Sequence, residues 1–242
     1  MSSPDAAESS PLPRPSYAEP LIASALVTAA ATAVSVIAPP SYVASGVAFV
    51  FLAATWWLVF RHDDAAVERA GLDFGGLVLP RALRWNVLAR SVAVAAGWAL
   101  GLSAAIFVPF YFGWRWYWHP SSEFSIDLTV PQVASDVFGQ LMLIALPEEI
   151  FYRGYLQSKF DEIAPPKVRV AGALLGPGLL YTSAIFALGH LLTELNPARL
   201  AVFFPSLVFG FLRARSRGIG AGVVFHAMCN LFSAYLLHSY FG

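Results

Sequence analysis

The sequence predicts an all-α fold, a polytopic bundle of transmembrane helices, on three observations. The chain is 57% hydrophobic and only 12% charged, against about 25% charged in an ordinary soluble domain. Its mean hydropathy is +0.63. Its apolar residues fall in runs near the ~20 residues that a spanning helix needs, divided by proline pairs and charge clusters. The 242 residues leave room for about six to eight spans in one membrane domain. Lys+Arg 15 balance Asp+Glu 15, so net charge offers nothing to a nucleic acid and no such partner is expected. A single cysteine, Cys229, excludes an internal disulfide and any multi-cysteine metal site.

Taken in order, residues 1–18 (MSSPDAAESSPLPRPSYA) are Ser/Pro-rich and acidic, and read as a disordered tail. They lack the basic n-region of a cleaved signal peptide. Residues 19–242 then form a single membrane domain. Span one is read at 20–38, stopped by Pro39-Pro40, and span two at 42–60. Residues 61–86 carry Arg61, Asp63, Asp64, Glu68, Arg69, Arg81 and Arg84 and read as a loop. Span three is 87–112. It is followed by GWRWYWHP (113–120), whose Trp114, Trp116, Tyr117 and Trp118 suit the headgroup level. Span four is 132–158. Pro177 divides the next apolar stretch, so 168–176 is read as interfacial or re-entrant and span five as 178–195, closed by Asn196-Pro197. Spans six and seven are 198–213 and 219–240. The total is about seven spans, with eight possible.

Basic residues then orient the chain. With the N-terminus inside, the inner loops hold Arg14, then Arg61, Arg69, Arg81 and Arg84, then Lys159, Lys167 and Arg169, then Arg213, Arg215 and Arg217. The outer loops hold only Arg115 and Arg199. Two lysines against many arginines and alanines point to a GC-rich bacterial genome. The expected location is thus a bacterial inner membrane, with a cytoplasmic N-terminus.

Ionisable residues inside spans are costly and mark function. Three clusters qualify, all within 132–240. In EEIFYRG, Glu149 and Arg153 are i,i+4 neighbours in the favourable order, so Arg153 can neutralise Glu149. Glu148 is turned about 100° away; a carboxylate in a dry site without a tight cation is a candidate general base. FALGH sets Phe186 and His190 one turn apart, and HAMCN does the same for His226 and Asn230. A histidine can shuttle a proton or donate to an oxyanion, and an asparagine amide can do the latter. At 1.5 Å per residue, Glu148 lies about 16 Å from Lys159, His190 about 18 Å from residue 178, and His226 about 10 Å from residue 219. All three are below the membrane surface. Two carboxylates, two imidazoles, one amide and one guanidinium suit activating a water for attack on a carbonyl.

Together EEIFYRG, FALGH and HAMCN resemble the ordered motifs EExxxR, FxxxH and HxxxN/B of the CPBP family. These are the CAAX-processing and bacteriocin-processing intramembrane proteases, typified by the Ras-converting CAAX endopeptidase. The resemblance covers residues 145–235. It implies a glutamate-dependent intramembrane endopeptidase that cuts near the C-terminal region of membrane-associated proteins or lipidated peptides. By motif position Glu148 would activate water, with His190 assisting. His226 and Asn230 would hold the oxyanion, and Glu149 and Arg153 would support the site. No cofactor is implied. A myxosortase-like sorting subgroup, acting on C-terminal tails, is one version of the reading.

Blander readings compete. The Glu/Arg cluster could be a structural ion pair, and the histidines and Asn230 interhelical hydrogen bonders. A zinc protease using His190, His226 and Glu148 would fit three protein ligands plus water, but lacks HExxH spacing and is disfavoured. A non-enzymatic transporter or immunity protein also buries charge, yet no internal repeat is visible. Cys229 as a nucleophile is set aside because Asn230 already completes its motif. Glu194 reads as a solvated residue near a helix end.

Overall fold

The structure is a computed structural model that describes residues 16–74, 76–79, 82–126 and 129–241. The tail expected at 1–18 falls outside these residues as far as position 15. The described residues form an all-α polytopic bundle. Helix α1 (Ala18–Ile37) stops where Ala38, which precedes a proline, turns extended at ψ 146°. Helix α2 (Pro40–Phe60) starts with a proline in its first turn, where no amide hydrogen is needed. The short α3 (Asp64–Arg69) is capped by Asp63, whose carboxylate accepts the Ala66 N–H at 2.7 Å. It lies in the predicted loop. Helix α4 (Trp85–Trp118) ends at His119, whose φ of 43° is left-handed.

Helix α5 (Val130–Ile163) opens on a capping box between Thr129 and Gln132. Two π-helical stretches, Gln140–Ala145 and Ile150–Gln157, flank the four α-helical residues Leu146–Glu149. Residues 168–176, expected as interfacial or re-entrant, form a hairpin in which strands β1 (Val168–Val170) and β2 (Ala173–Leu175) pair antiparallel. Their two-residue turn, Ala171-Gly172, has φ of 46° and 81°, the sign that tight hairpins require at both positions. Helix α6 (Pro177–Glu194) begins at Pro177 as the sequence suggests. A 3₁₀ turn (Pro197–Val202) leads into α7 (Phe203–Ser216), and α8 (Gly220–Phe241) completes the fold.

Among the described residues six helices are long and apolar enough to cross a membrane; α6, the fifth of the seven expected spans, is not one of them. It has 18 residues, about 27 Å at 1.5 Å per residue, close to the ~30 Å of a hydrocarbon core. Its start lies beside the β-hairpin, at one of the two ends of the molecule. At one end, Arg213 from α7 donates to the Arg69 carbonyl at 2.7 Å and to Ser158 Oγ at 3.3 Å. Arg215 donates to the Ala171 carbonyl at 3.1 Å. Tyr155 reaches Glu19 of α1 at 3.3 Å. At the other end, Ser125 N–H donates to the Ser239 carbonyl at 3.0 Å, and Ser122 bonds the Tyr240 carbonyl. Helix α6 leaves the first end beside the hairpin, and α7 returns to it.

The core is continuous along α5. Phe151, Tyr155, Leu156 and Phe160 are almost fully buried and join Phe51 of α2, Phe186 of α6 and Val223 of α8. A second cluster packs Ala95 and Ala99 of α4 against Phe209, Leu212 and Phe225. Of the aromatic group after span three, Trp116, Tyr117 and Trp118 are exposed as a headgroup belt requires, while Trp114 is buried against Tyr240 at 5.4 Å.

Candidate active site

Helices α5, α6, α7 and α8 bring all three motifs to one place. Arg153 and Glu149 are completely buried, with Nη1 and Oε1 2.9 Å apart. A second arm of Arg153, Nη2, donates to Ser206 Oγ at 2.6 Å and to the Ser206 carbonyl at 3.2 Å. The guanidinium also lies 4.7 Å from the Phe186 ring centre and 5.1 Å from that of Phe209, where ring faces favour a cation. Arg153 is thus held by α5, α6 and α7 together. Burial of an ion pair is tolerable only when its remaining polar atoms are bonded, and Ser206 supplies part of that.

Glu149 Oε1 also faces His226 Nδ1 at 3.1 Å. The imidazole lies flat on Phe209, 4.6 Å between ring centres at 15°, and edge-on to Phe186 at 5.9 Å. Its second nitrogen, Nε2, is 3.8 Å from Glu148 Oε2. A chain of ionisable groups therefore runs Arg153, Glu149, His226, Glu148. Gly222 makes the approach possible: a Cβ there would sit 2.8 Å from Glu149 Oε2.

Glu148 is the open end of the chain. Its side chain keeps 12% exposure against none for Glu149, and its Oε2 has no hydrogen-bond partner among the described residues. It borders a cavity of about 1130 Å³, which His190, His226 and Asn230 also line. The remaining walls are mostly apolar and come from α1, α2, α4, α7 and α8. Glu149 and Arg153 lie behind the cavity wall.

His190 Nδ1 is 3.0 Å from the Phe186 carbonyl. A carbonyl only accepts, so Nδ1 carries the hydrogen and Nε2 is left for the cavity. Its ring centre is 4.4 Å from that of Phe186, one turn earlier on α6. Asn230 Nδ2 donates to Gln140 Oε1 at 3.0 Å. Glu194 is half exposed and pairs with Arg199 at 3.2 Å, away from His190. Among the described residues no group of three or more His, Cys, Asp or Glu side chains is set to hold a metal ion.

Sequence reasoning missed Gln140, Ser206 and Phe209. Gln140 is a polar residue inside a span and carried a usable signal. Ser206 and Phe209 look like ordinary packing residues of an apolar helix, and only the fold reveals their contacts.

A polytopic membrane protein with a buried Glu/Arg/His relay opening on an apolar cavity is the class that fold and site define. Residues 130–232, which contain all three motifs, match the family model described as Type II CAAX prenyl endopeptidase Rce1-like. That match agrees with the CPBP resemblance and supports an intramembrane protease function. No curated protein and no solved structure matches the chain.

Proposed function

We propose that this chain is a glutamic intramembrane endopeptidase of CPBP type. It hydrolyses a peptide bond near the C-terminal region of a membrane-associated protein or lipidated peptide. The observation that carries the reading is the contrast between adjacent glutamates: Glu149 is locked by Arg153 and His226, while Glu148 opens on a cavity shared with His190, His226 and Asn230.

In this reading Glu148 takes a proton from a water in the cavity. The neutral His190 Nε2 accepts the water's other hydrogen and aims the oxygen. The resulting hydroxide adds to the scissile carbonyl carbon, and negative charge moves to the former carbonyl oxygen. Asn230 Nδ2–H and His226 Nε2–H donate to that oxyanion. The C–N bond then breaks, and Glu148 returns its proton to the leaving nitrogen. For His226 to donate from Nε2 while Nδ1–H bonds Glu149, the ring carries both protons. No cofactor takes part. The domain, 19–242, sits in a bacterial inner membrane with the N-terminus cytoplasmic.

The test compares protein termini in membranes from cells carrying the native chain and Glu148→Ala. A defined set of proteins left uncut in the variant is the expected result. Shared tails made of a short motif, a hydrophobic helix and basic residues would assign the myxosortase-like sorting role. Unchanged termini at equal protein levels, in cells that depend on the native chain, would overturn the proteolytic reading.

A further inference from the structure

The amide of Asn230 can stabilise an oxyanion only if its nitrogen is the end presented to it. Nothing in the residue itself ensures that. The terminal torsion of an asparagine is broad and roughly two-fold, and the flipped amide would offer an oxygen, which repels an oxyanion. An acceptor beside the amide favours the orientation that turns the nitrogen toward it, and Gln140 Oε1 is such an acceptor at 3.0 Å.

We propose that Gln140 is a positioning residue for the hydrolytic site, holding the Asn230 amide with its nitrogen toward the reacting oxygen; this rests on the proteolytic reading above. An amide nitrogen carries two hydrogens. One is taken by Gln140, and the second stays with the cavity that both residues line beside Glu148. Gln140 and Asn230 are half-buried on facing helices, and the π-helical stretch of α5 that begins at Gln140 packs along α8. A π turn admits an extra residue and re-aims the side chains around it, which is why such turns recur at functional sites. Here the re-aimed side chains come from the same helix that supplies the glutamate pair.

The test uses full-length protein in detergent or liposomes and a substrate found through the comparison of termini. Gln140→Leu and Gln140→Met remove the acceptor with similar bulk. Each is expected to lower kcat about tenfold to a hundredfold with KM unchanged, as part of the about 10²–10³ that one oxyanion donor supplies. Gln140→Glu keeps an acceptor and is expected to stay within about fivefold of the native kcat. In an Asn230→Ala background Gln140→Leu is expected to add no further loss, because the group it positions is gone. The proposal is overturned if Gln140→Leu costs as much in that background as alone, if the loss falls on KM, or if Gln140→Glu is as impaired as Gln140→Leu. Melting midpoints of all variants separate a folding defect from a catalytic one; if Gln140→Leu does not fold, Gln140→Met decides. Absence of Glu148-dependent cleavage by the native chain would instead sink the proteolytic reading itself.

Discussion

Glu148 and Glu149 are neighbours in sequence and opposites in circumstance, and their variants separate accordingly. Glu149 bonds Arg153 at 2.9 Å and His226 at 3.1 Å with no exposure. Removing its charge strands a buried guanidinium, a change that costs about 3–5 kcal/mol for buried pairs. Glu149→Ala is expected to lower the melting midpoint markedly as well as abolish cleavage. Glu148 has no guanidinium bound to it, only His226 Nε2 at 3.8 Å, and it faces the cavity. Glu148→Gln keeps shape and bulk, so melting is expected to stay near native while kcat falls by about 10²–10⁴, the usual range for a general base. A Glu148→Gln protein that still cleaves would remove Glu148 from the chemistry. Asn230→Ala is expected to cost about 10²–10³ in kcat with little change in KM, read in the same assay. The positions of these residues were legible in the sequence, because a charge or imidazole within an apolar run needs a reason. Their partners were less so: that His226 touches both glutamates depends on how α8 meets α5, and no spacing within either motif encodes that.

At the level of elements, the meeting of α8 with α5 turns on Gly222. An alanine there would put its Cβ 2.8 Å from Glu149 Oε2 and 3.6 Å from the Phe209 carbonyl. The crowded oxygen belongs to the carboxylate whose other oxygen contacts Arg153 and His226, so moving it disturbs both contacts. Gly222→Ala is therefore expected to impair both activity and melting, even though alanine is the better helix former by about 1 kcal/mol; a more stable, fully active variant would show that the helices do not approach this closely. Helix limits set by proline were readable, as at Pro39-Pro40 and Pro177. The π-helical stretches of α5 and the hairpin after it were not. A π turn has no residue signature, and the left-handed turn at Ala171 is unmarked because alanine is a residue that ordinarily avoids it. Arg215, donating to the Ala171 carbonyl at 3.1 Å, is a tertiary contact that helps hold that turn.

For the molecule as a whole the open quantity is direction in the membrane, and charge and geometry bear on it independently. Basic residues of three separate segments gather at one end: Arg213 and Arg215 of α7 reach the Arg69 and Ala171 carbonyls, and Lys159 of α5 pairs with Glu19 at the start of α1. The tip of α8 is at the other end, tied to the 119–126 loop through Ser125 and Ser239. Hydropathy alone counts six spanning helices, an even number that would return the chain to its starting side. Counted as a span, α6 adds a crossing, which its 18-residue length permits and which its polar residues, Glu194 and His190 among them, conceal from a composition measure. The two counts give opposite answers about the C-terminus. With seven crossings and the basic end inside, a fluorescent protein fused before residue 1 is expected to fluoresce in the cytoplasm. An alkaline phosphatase fused after Phe241 is expected to be active only outside. Phosphatase activity absent at that position, with a fluorescent N-terminal fusion, would mean six crossings. That would place α6 and His190 within a hairpin that enters and leaves by one face.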